Sequence, residues 1–446
     1  MSHADSVEPS TRRTTRRGFR EFLRLESAGG VCLLSATIIA LVLRNSPLGE
    51  DVARFWEQHA VVTLGPISIN ESLTQWINDG LMAIFFFVAG LEIKRELVVG
   101  ELRDLRRAAL PAFAAMGGMV VPAGIYMLAN FGGAGAPGWG IPLATDIAFA
   151  VAVLAVVGRH LPSGLKVFLL SLAIADDIGA VLVIAFFYSS SISFSWLGVV
   201  AGLIATVIVM RRADIWFVPA YVIVGIGLWV AMLESGVHAT LAGVILGLMA
   251  PAVARRPTPT VIDVEPSIPL GVLREVLRDA RETVPVTDRL LHILHPWTAF
   301  VILPLFALAN GGVALSAAGV ADAATSPITI GIVLGLVAGK TIGIVVATRL
   351  AVLSGIGSLP ENVTWRGVTG VAFLGGIGFT VSLFITGLAF TDTALQDSAK
   401  MGVLAASLIA AVAGATVLHR EPGPASAPPG PQRPDVDTEE PLVSVR

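Results

Sequence analysis

Between Glu21 and Leu418 the chain passes through one apolar stretch after another, each about the 20 residues that a helix needs to cross a bilayer. Lipid offers no water to satisfy a backbone N–H or C=O, so a segment that spans it must be a helix or part of a closed barrel. Runs of this length read as helices, which makes the chain an all-α, polytopic membrane protein. At roughly 33 residues per span and loop, about twelve transmembrane helices are expected. Their centres fall near Leu34, Phe86, Met119, Ala150, Ile178, Ile204, Val224, Val244, Ile302, Val337, Ile377 and Leu408. The seventh and eighth read as short and are separated only by Glu234 to Val237. Composition agrees: 54% of residues are hydrophobic and 14% charged, against about 25% charged in soluble domains.

Positive residues should collect on the cytoplasmic side at every second loop. They do so in the Arg-rich N-terminus, around Arg103, Arg106 and Arg107, at Arg159 and Lys166, and at Arg211 and Arg212. The pattern continues from Arg255 and Arg256 to Arg289, then at Arg349 and Arg366, and finally at Arg420. The intervening loops, including Asn130 to Gly138 and Ser189 to Ser195, carry no Lys or Arg. Both termini are therefore expected on the cytoplasmic side. A net charge of −3 gives no reason to expect a nucleic-acid partner, and the single Cys32 can build no disulfide within the chain. Arg12 to Arg24 precede a span too long for a cleavable signal.

Three segments stand outside the spans. Residues 1–20 and 421–446 read as disordered tails around a transmembrane domain of residues 21–420. Between the first two spans, β-prone runs flank a Gly-Pro pair in residues 61–70, which points to a small extracytoplasmic β-hairpin. Its exposed edge could pair with a second copy, making a homodimer through the hairpin an expectation.

Most of these spans contain nothing ionisable, and each charge at a helix centre costs about 2.5–3.5 kcal/mol on insertion scales. The exceptions singled out are Asp146, Asp176, Asp177 and Lys340. Asp176 and Asp177 are adjacent, so their side chains diverge by about 100° around one helix. One can meet a partner such as Lys340 while the other faces a water-filled cavity. Two carboxylates this close also resist being ionised together, which suits a proton carrier. Lys340 lies between Gly339 and Gly343, which would let another backbone come near.

Asp146 follows Gly140 and Pro142, which interrupt a span just before Thr145. A matching interruption, Gly375-Gly376-Ile377-Gly378, precedes Thr380 and Ser382. Two broken spans, one in each half of the chain, point to a transporter with a site near the midplane. If they cross, each places one positive and one negative helix end at the centre, where Asp146 and Lys340 could neutralise them.

The motifs Gly90-Leu-Glu-Ile-Lys-Arg-Glu-Leu97, Ala144-Thr-Asp-Ile-Ala-Phe-Ala150, Ala173-Ile-Ala-Asp-Asp-Ile-Gly179, Gly236-Val-His-Ala-Thr-Leu-Ala-Gly243, His295-Pro-Trp297, Gly339-Lys-Thr-Ile-Gly343 and Gly375-Gly-Ile-Gly-Phe-Thr380 together resemble the NhaA family of sodium/proton antiporters, over about residues 20–420. The resemblance implies inverted repeats, about 106–188 and 329–418, with two discontinuous, crossing helices. It implies that Asp176 and Asp177 bind the ion, that Thr145 and Asp146 complete or tune the site, and that Lys340 pairs with Asp176. One Na⁺ or Li⁺ would leave in exchange for two protons, with no cofactor and with lipid as the surrounding partner. A bacterial inner membrane is the implied location.

Glu92, Arg95 and Glu96 correspond by the same resemblance to a pH-sensing region, as does His238. The charges alone would equally suit a solvated anchor on the cytoplasmic side. A sodium-coupled symporter of organic acids on a similar fold is the alternative reading. It would lack the Lys340 partner and usually one acid of the pair. An intramembrane aspartyl protease, the enzyme alternative, would take its acids from two helices. Here they adjoin on one, so no enzyme is expected.

Overall fold

The computed structural model describes residues 9–421 except 65–66, 159–160, 190–191, 214, 216, 254–283 and 361. The spans are α1 (Pro9–Arg44), α2 (Leu73–Val98), α3 (Leu105–Ala129), a 3₁₀ segment (Ala136–Leu143) followed by α4 (Ile147–Val157), and α5 (Ser163–Phe187). Then come α6 (Phe194–Arg212), α7 (Val218–Ser235), α8 (Leu241–Met249), α9 (Val286–Asn310) and α10 (Pro327–Leu353). The chain closes with the pair α11 (Trp365–Gly375) and α12 (Phe379–Ala389), bent by 42°, and with α13 (Thr393–His419).

Among the described residues ten helices are long and apolar enough to cross a membrane, and the bent pair makes eleven. The eighth expected span is α8, whose nine residues reach only about 14 Å, roughly half a bilayer core. The seventh, expected to be short, has 18 residues. The first helix begins at Pro9, inside the segment expected to be a tail. Proline suits a first helical turn, and Arg, Leu and Glu, all good helix formers, carry the helix into the apolar run. The rest of the expected tails, 1–8 and 422–446, and the hydrophilic stretch 254–283 lie outside the described residues.

Local chemistry sets the helix starts. Ser72 and Gln75 form a reciprocal capping box that opens α2, while Asp104, Thr364 and Asp392 accept first-turn N–H bonds of α3, α11 and α13. The hairpin pairs β1 (His59–Leu64) with β2 (Ile67–Ser72), antiparallel, in register from His59 with Ser72 to Leu64 with Ile67. It is longer than residues 61–70 at both ends. Trp76 Nε1 donates to the Ala60 carbonyl at 3.0 Å and fastens the hairpin to the start of α2.

Packing follows a bilayer rather than water. Phe186 and Phe194 are 78% and 84% exposed, as side chains facing acyl chains are, while the interior holds Phe86, Phe306 and Phe384 in ring contact across α2, α9 and α12. Helix association in lipid relies on close backbone approach at small residues. The helices α3 and α10 show it: a Cβ added at Gly117 would fall on the Gly343 carbonyl, and one at Gly339 would lie 2.9 Å from Pro122 Cα. The glycines flanking Lys340 thus serve the close approach expected of them. The order long helix, broken helix, long helix occurs twice, over 105–187 and 327–419.

Gly117→Val should force α3 and α10 apart, at roughly 1–3 kcal/mol for overpacking. A lower thermal unfolding midpoint in detergent is expected, whereas Gly202→Val, with nothing within 4 Å of its added Cβ, should leave the midpoint unchanged.

Candidate ion-binding site

The two interruptions, Ala144 to Asp146 and Gly376 to Gly378, lie against each other, and each meets the backbone groups that the other leaves open. Asp146 N–H donates to the Ile377 carbonyl at 2.6 Å, and Thr145 Oγ1 donates to the Gly375 carbonyl at 2.7 Å. Ser382 Oγ donates to the Ile141 carbonyl at 2.7 Å. No water is needed at these positions because the two breaks complement one another.

The crossing sets two helix N-termini side by side, and one carboxylate serves both. Asp146 Oδ1 accepts from Phe149 N–H at 3.0 Å in α4. Its Oδ2 accepts from Thr380 N–H at 3.0 Å and from Thr380 Oγ1 at 2.6 Å in α12. A negative charge is stabilised there by the partial positive charge of both helix ends. Lys340 supplies the opposite sign at the other polarity: its Nζ donates to the Leu143 carbonyl, at the C-terminal end of the 3₁₀ segment, and to Asp176 Oδ2 at 2.6 Å. Asp146, Asp176 and Lys340 are 2%, 1% and 1% exposed, so these charges are compensated by protein alone.

A π-helical stretch, Leu334–Gly339, immediately precedes Lys340. Its widened turn rotates the helix beyond it and breaks the regular ladder, a device common at functional sites. Asp176 Oδ1 is buried without a hydrogen-bond partner, and Thr145 neighbours that carboxylate. Asp177, on the next face of α5, makes no hydrogen bond or ion pair with any described residue. The charges acting on it are Asp176, Glu92, Asp146 and Lys340.

A cavity of about 920 Å³ runs toward this point from the side where α2 ends. Glu92, Arg95, Glu96 and Arg107 line its mouth, and Ile147, Ser171 and Ile174 its floor, with Ile174 one helical turn short of Asp177. At the mouth Arg95 pairs with Asp288 at 3.1 Å, Glu92 faces His295 at 3.6 Å, and Glu96 accepts from Glu101 N–H at 3.0 Å. The structure therefore brings Glu92, Arg95 and Glu96 to one vestibule. His238 stands apart on the hairpin side, its Nε2 on the Tyr188 carbonyl. Burial lowers its imidazole pKa below the usual histidine value, and that bond partly opposes the shift.

Thr380 was visible in the sequence as a hydroxyl shortly after three glycines, but its bonds to Asp146 were not. The Leu143 carbonyl carries no residue signal at all. Asp79, within α2, is a further acid inside a span that the apolar runs did not single out, because the helix starts at Leu73, ahead of the run around Phe86.

A family model described as Na⁺/H⁺ antiporter 1 matches residues 20–418. The chain belongs to that family. Three relatives of this antiporter family show how far the likeness extends. Na(+)/H(+) antiporter NhaA 3 of Frankia alni is 46% identical over 411 residues, covering 90% of this chain and 88% of its own length. Na(+)/H(+) antiporter NhaA of Syntrophobacter fumaroxidans is 45% identical over 423 residues, 90% of both chains. The protein of that name from Rhodopirellula baltica is 45% identical over 421 residues, 90% of this chain and 93% of its own. The resemblance drawn from motifs thus extends over the whole membrane domain of an antiporter family.

Asp146→Ala removes three hydrogen bonds to a charged group, each worth about 1.5–3 kcal/mol. Its thermal midpoint should fall further than that of Thr380→Ala, which loses only the hydroxyl bond.

Proposed function

We propose that the protein exchanges Na⁺ or Li⁺ for two protons across a bacterial inner membrane by alternating access, with Asp176 and Asp177 as the carboxylates for which the ions compete. The observation that carries this reading is the buried Lys340–Asp176 pair beside Asp177, which has no hydrogen-bond or ion-pair partner among the described residues and lies one helical turn beyond the cavity floor at Ile174. Sodium is a hard cation that takes oxygen ligands. Both carboxylates and the Thr145 hydroxyl offer such oxygens, and the Lys340 ammonium sits on the Asp176 oxygen that sodium would take. Sodium and bound protons therefore exclude one another. Exchange follows if only loaded sites change their accessibility.

Two protons against one sodium moves one net charge, worth about 2.3 kcal/mol per 100 mV, so an interior-negative potential drives sodium outward. The positive loops support a cytoplasmic position for both termini and for the Glu92 vestibule. There Glu92, Arg95 and Glu96, with His238 on the opposite side, are the candidates for pH regulation. The paired hairpins, with Val61 and Val62 exposed, are the candidate dimer contact. The Lys340 pair argues against symport of organic acids.

The test is Na⁺-induced proton movement in inside-out vesicles from about pH 6.5 to 8.5. Na⁺ should dissipate the proton gradient in wild type, Asp177→Asn should abolish the effect, and Lys340→Ala should weaken it. No Na⁺-dependent flux in wild type at any pH would overturn antiport. Because binding linkage is reciprocal, protons that hinder sodium are displaced by it. The apparent KM for Na⁺ should accordingly fall as pH rises, by up to about tenfold per pH unit for each proton displaced.

A further inference from the structure

We infer that Tyr188 is a positioning residue for transport, whose hydroxyl clamps the 3₁₀ segment to the aspartate helix and so holds the Leu143 carbonyl against Lys340; the inference rests on the exchange reading above. Tyr188 follows the last residue of α5, about 16 Å along the helix from Asp177. Its hydroxyl donates to the Pro137 carbonyl at 2.8 Å and accepts from Gly140 N–H at 3.0 Å. Trp139 and Phe187 meet edge to face beside it, with ring centroids 5.0 Å apart.

The clamp answers a local weakness. Ala136–Leu143 is eight residues of 3₁₀ helix, longer than such runs usually persist, and Pro137 and Pro142 remove two of its N–H donors. A segment of this kind needs fastening from outside. Glycine at 140 is required by the fastening, since a Cβ there would lie 2.6 Å from the Tyr188 hydroxyl. From Gly140 to Leu143 is three residues, about 6 Å at the 3₁₀ rise, so movement at the clamp reaches the carbonyl that shares Lys340 with Asp176.

The same residue ties in the His238 turn. The Tyr188 backbone carbonyl can only accept, so His238 Nε2 donates to it. The hairpin-side turn between α7 and α8 is thereby joined through one residue to the end of the aspartate helix and to the broken span. Lys340 is shared between two acceptors. Loosening one of them changes how firmly the ammonium holds Asp176, and hence how sodium competes for that oxygen.

The experiment uses full-length protein in inside-out vesicles, comparing wild type, Tyr188→Phe and Gly140→Ala, with Tyr221→Phe as a tyrosine remote from the site. Tyr188→Phe should change the apparent KM for Na⁺ by about three- to tenfold, the scale of one or two lost hydrogen bonds, with the maximal rate kept within about twofold. Gly140→Ala should move KM as well, and it carries the test on the same criterion if Tyr188→Phe fails to insert. Tyr221→Phe should match wild type. An unchanged KM for Na⁺ in the variants, with or without a lower thermal midpoint, would show the hydroxyl to be structural only and overturn the inference. Absence of flux in wild type would instead remove the exchange reading itself.

Discussion

A helix broken in the middle of a membrane leaves backbone donors and acceptors where no water can reach them, and everything near the centre of this protein is arranged around that constraint. Two breaks are laid across each other so that the Ile377 and Gly375 carbonyls take donors from Asp146 and Thr145. The remaining imbalance is electrostatic: paired positive helix ends on one side, a carbonyl end on the other. Asp146 answers the first and Lys340 the second. Asp176 completes the set, because an ammonium in this setting must be compensated as well.

A centre built this way holds its charges with unequal firmness. The Asp146 carboxylate is held by three donors from two helices, so it organises the crossing. The Asp176–Lys340 contact is one ion pair with a carboxylate oxygen to spare, and Asp177 beside it has no described partner at all. The centre thus holds one charge by three donors and another by a single ion pair.

The parts around the centre are connected to it by few links. On one side the vestibule lined by Glu92, Arg95 and Glu96 leads inward along α5. On the other, Tyr188 and His238 join the end of α5 to the 3₁₀ segment and to the turn before α8. The same helix therefore carries the carboxylates and meets both faces of the membrane. Close glycine packing between α3 and α10 provides the firm wall against which these elements are set.

Much of this was legible in the sequence because the bilayer makes strong demands. Span number, the broken segments at Gly140 to Asp146 and Gly375 to Gly378, the hairpin, and the four charges Asp146, Asp176, Asp177 and Lys340 all come from apolar length and from residues that lipid penalises. The sequence could not decide pairing across long separations. The pairing of Lys340 with Asp176 came only from the family resemblance; which donors Asp146 would accept, and that the Leu143 carbonyl would share the ammonium, depend on how segments about 200 residues apart are packed. Backbone carbonyls carry no residue-specific signal, and Tyr188 resembles any aromatic at a span end until its hydroxyl is seen between Pro137 and Gly140. Composition and periodicity determine which segments enter the membrane and which charges must be compensated there; the partner of each charge is set only when the helices pack, because compensation is a matter of distance in space.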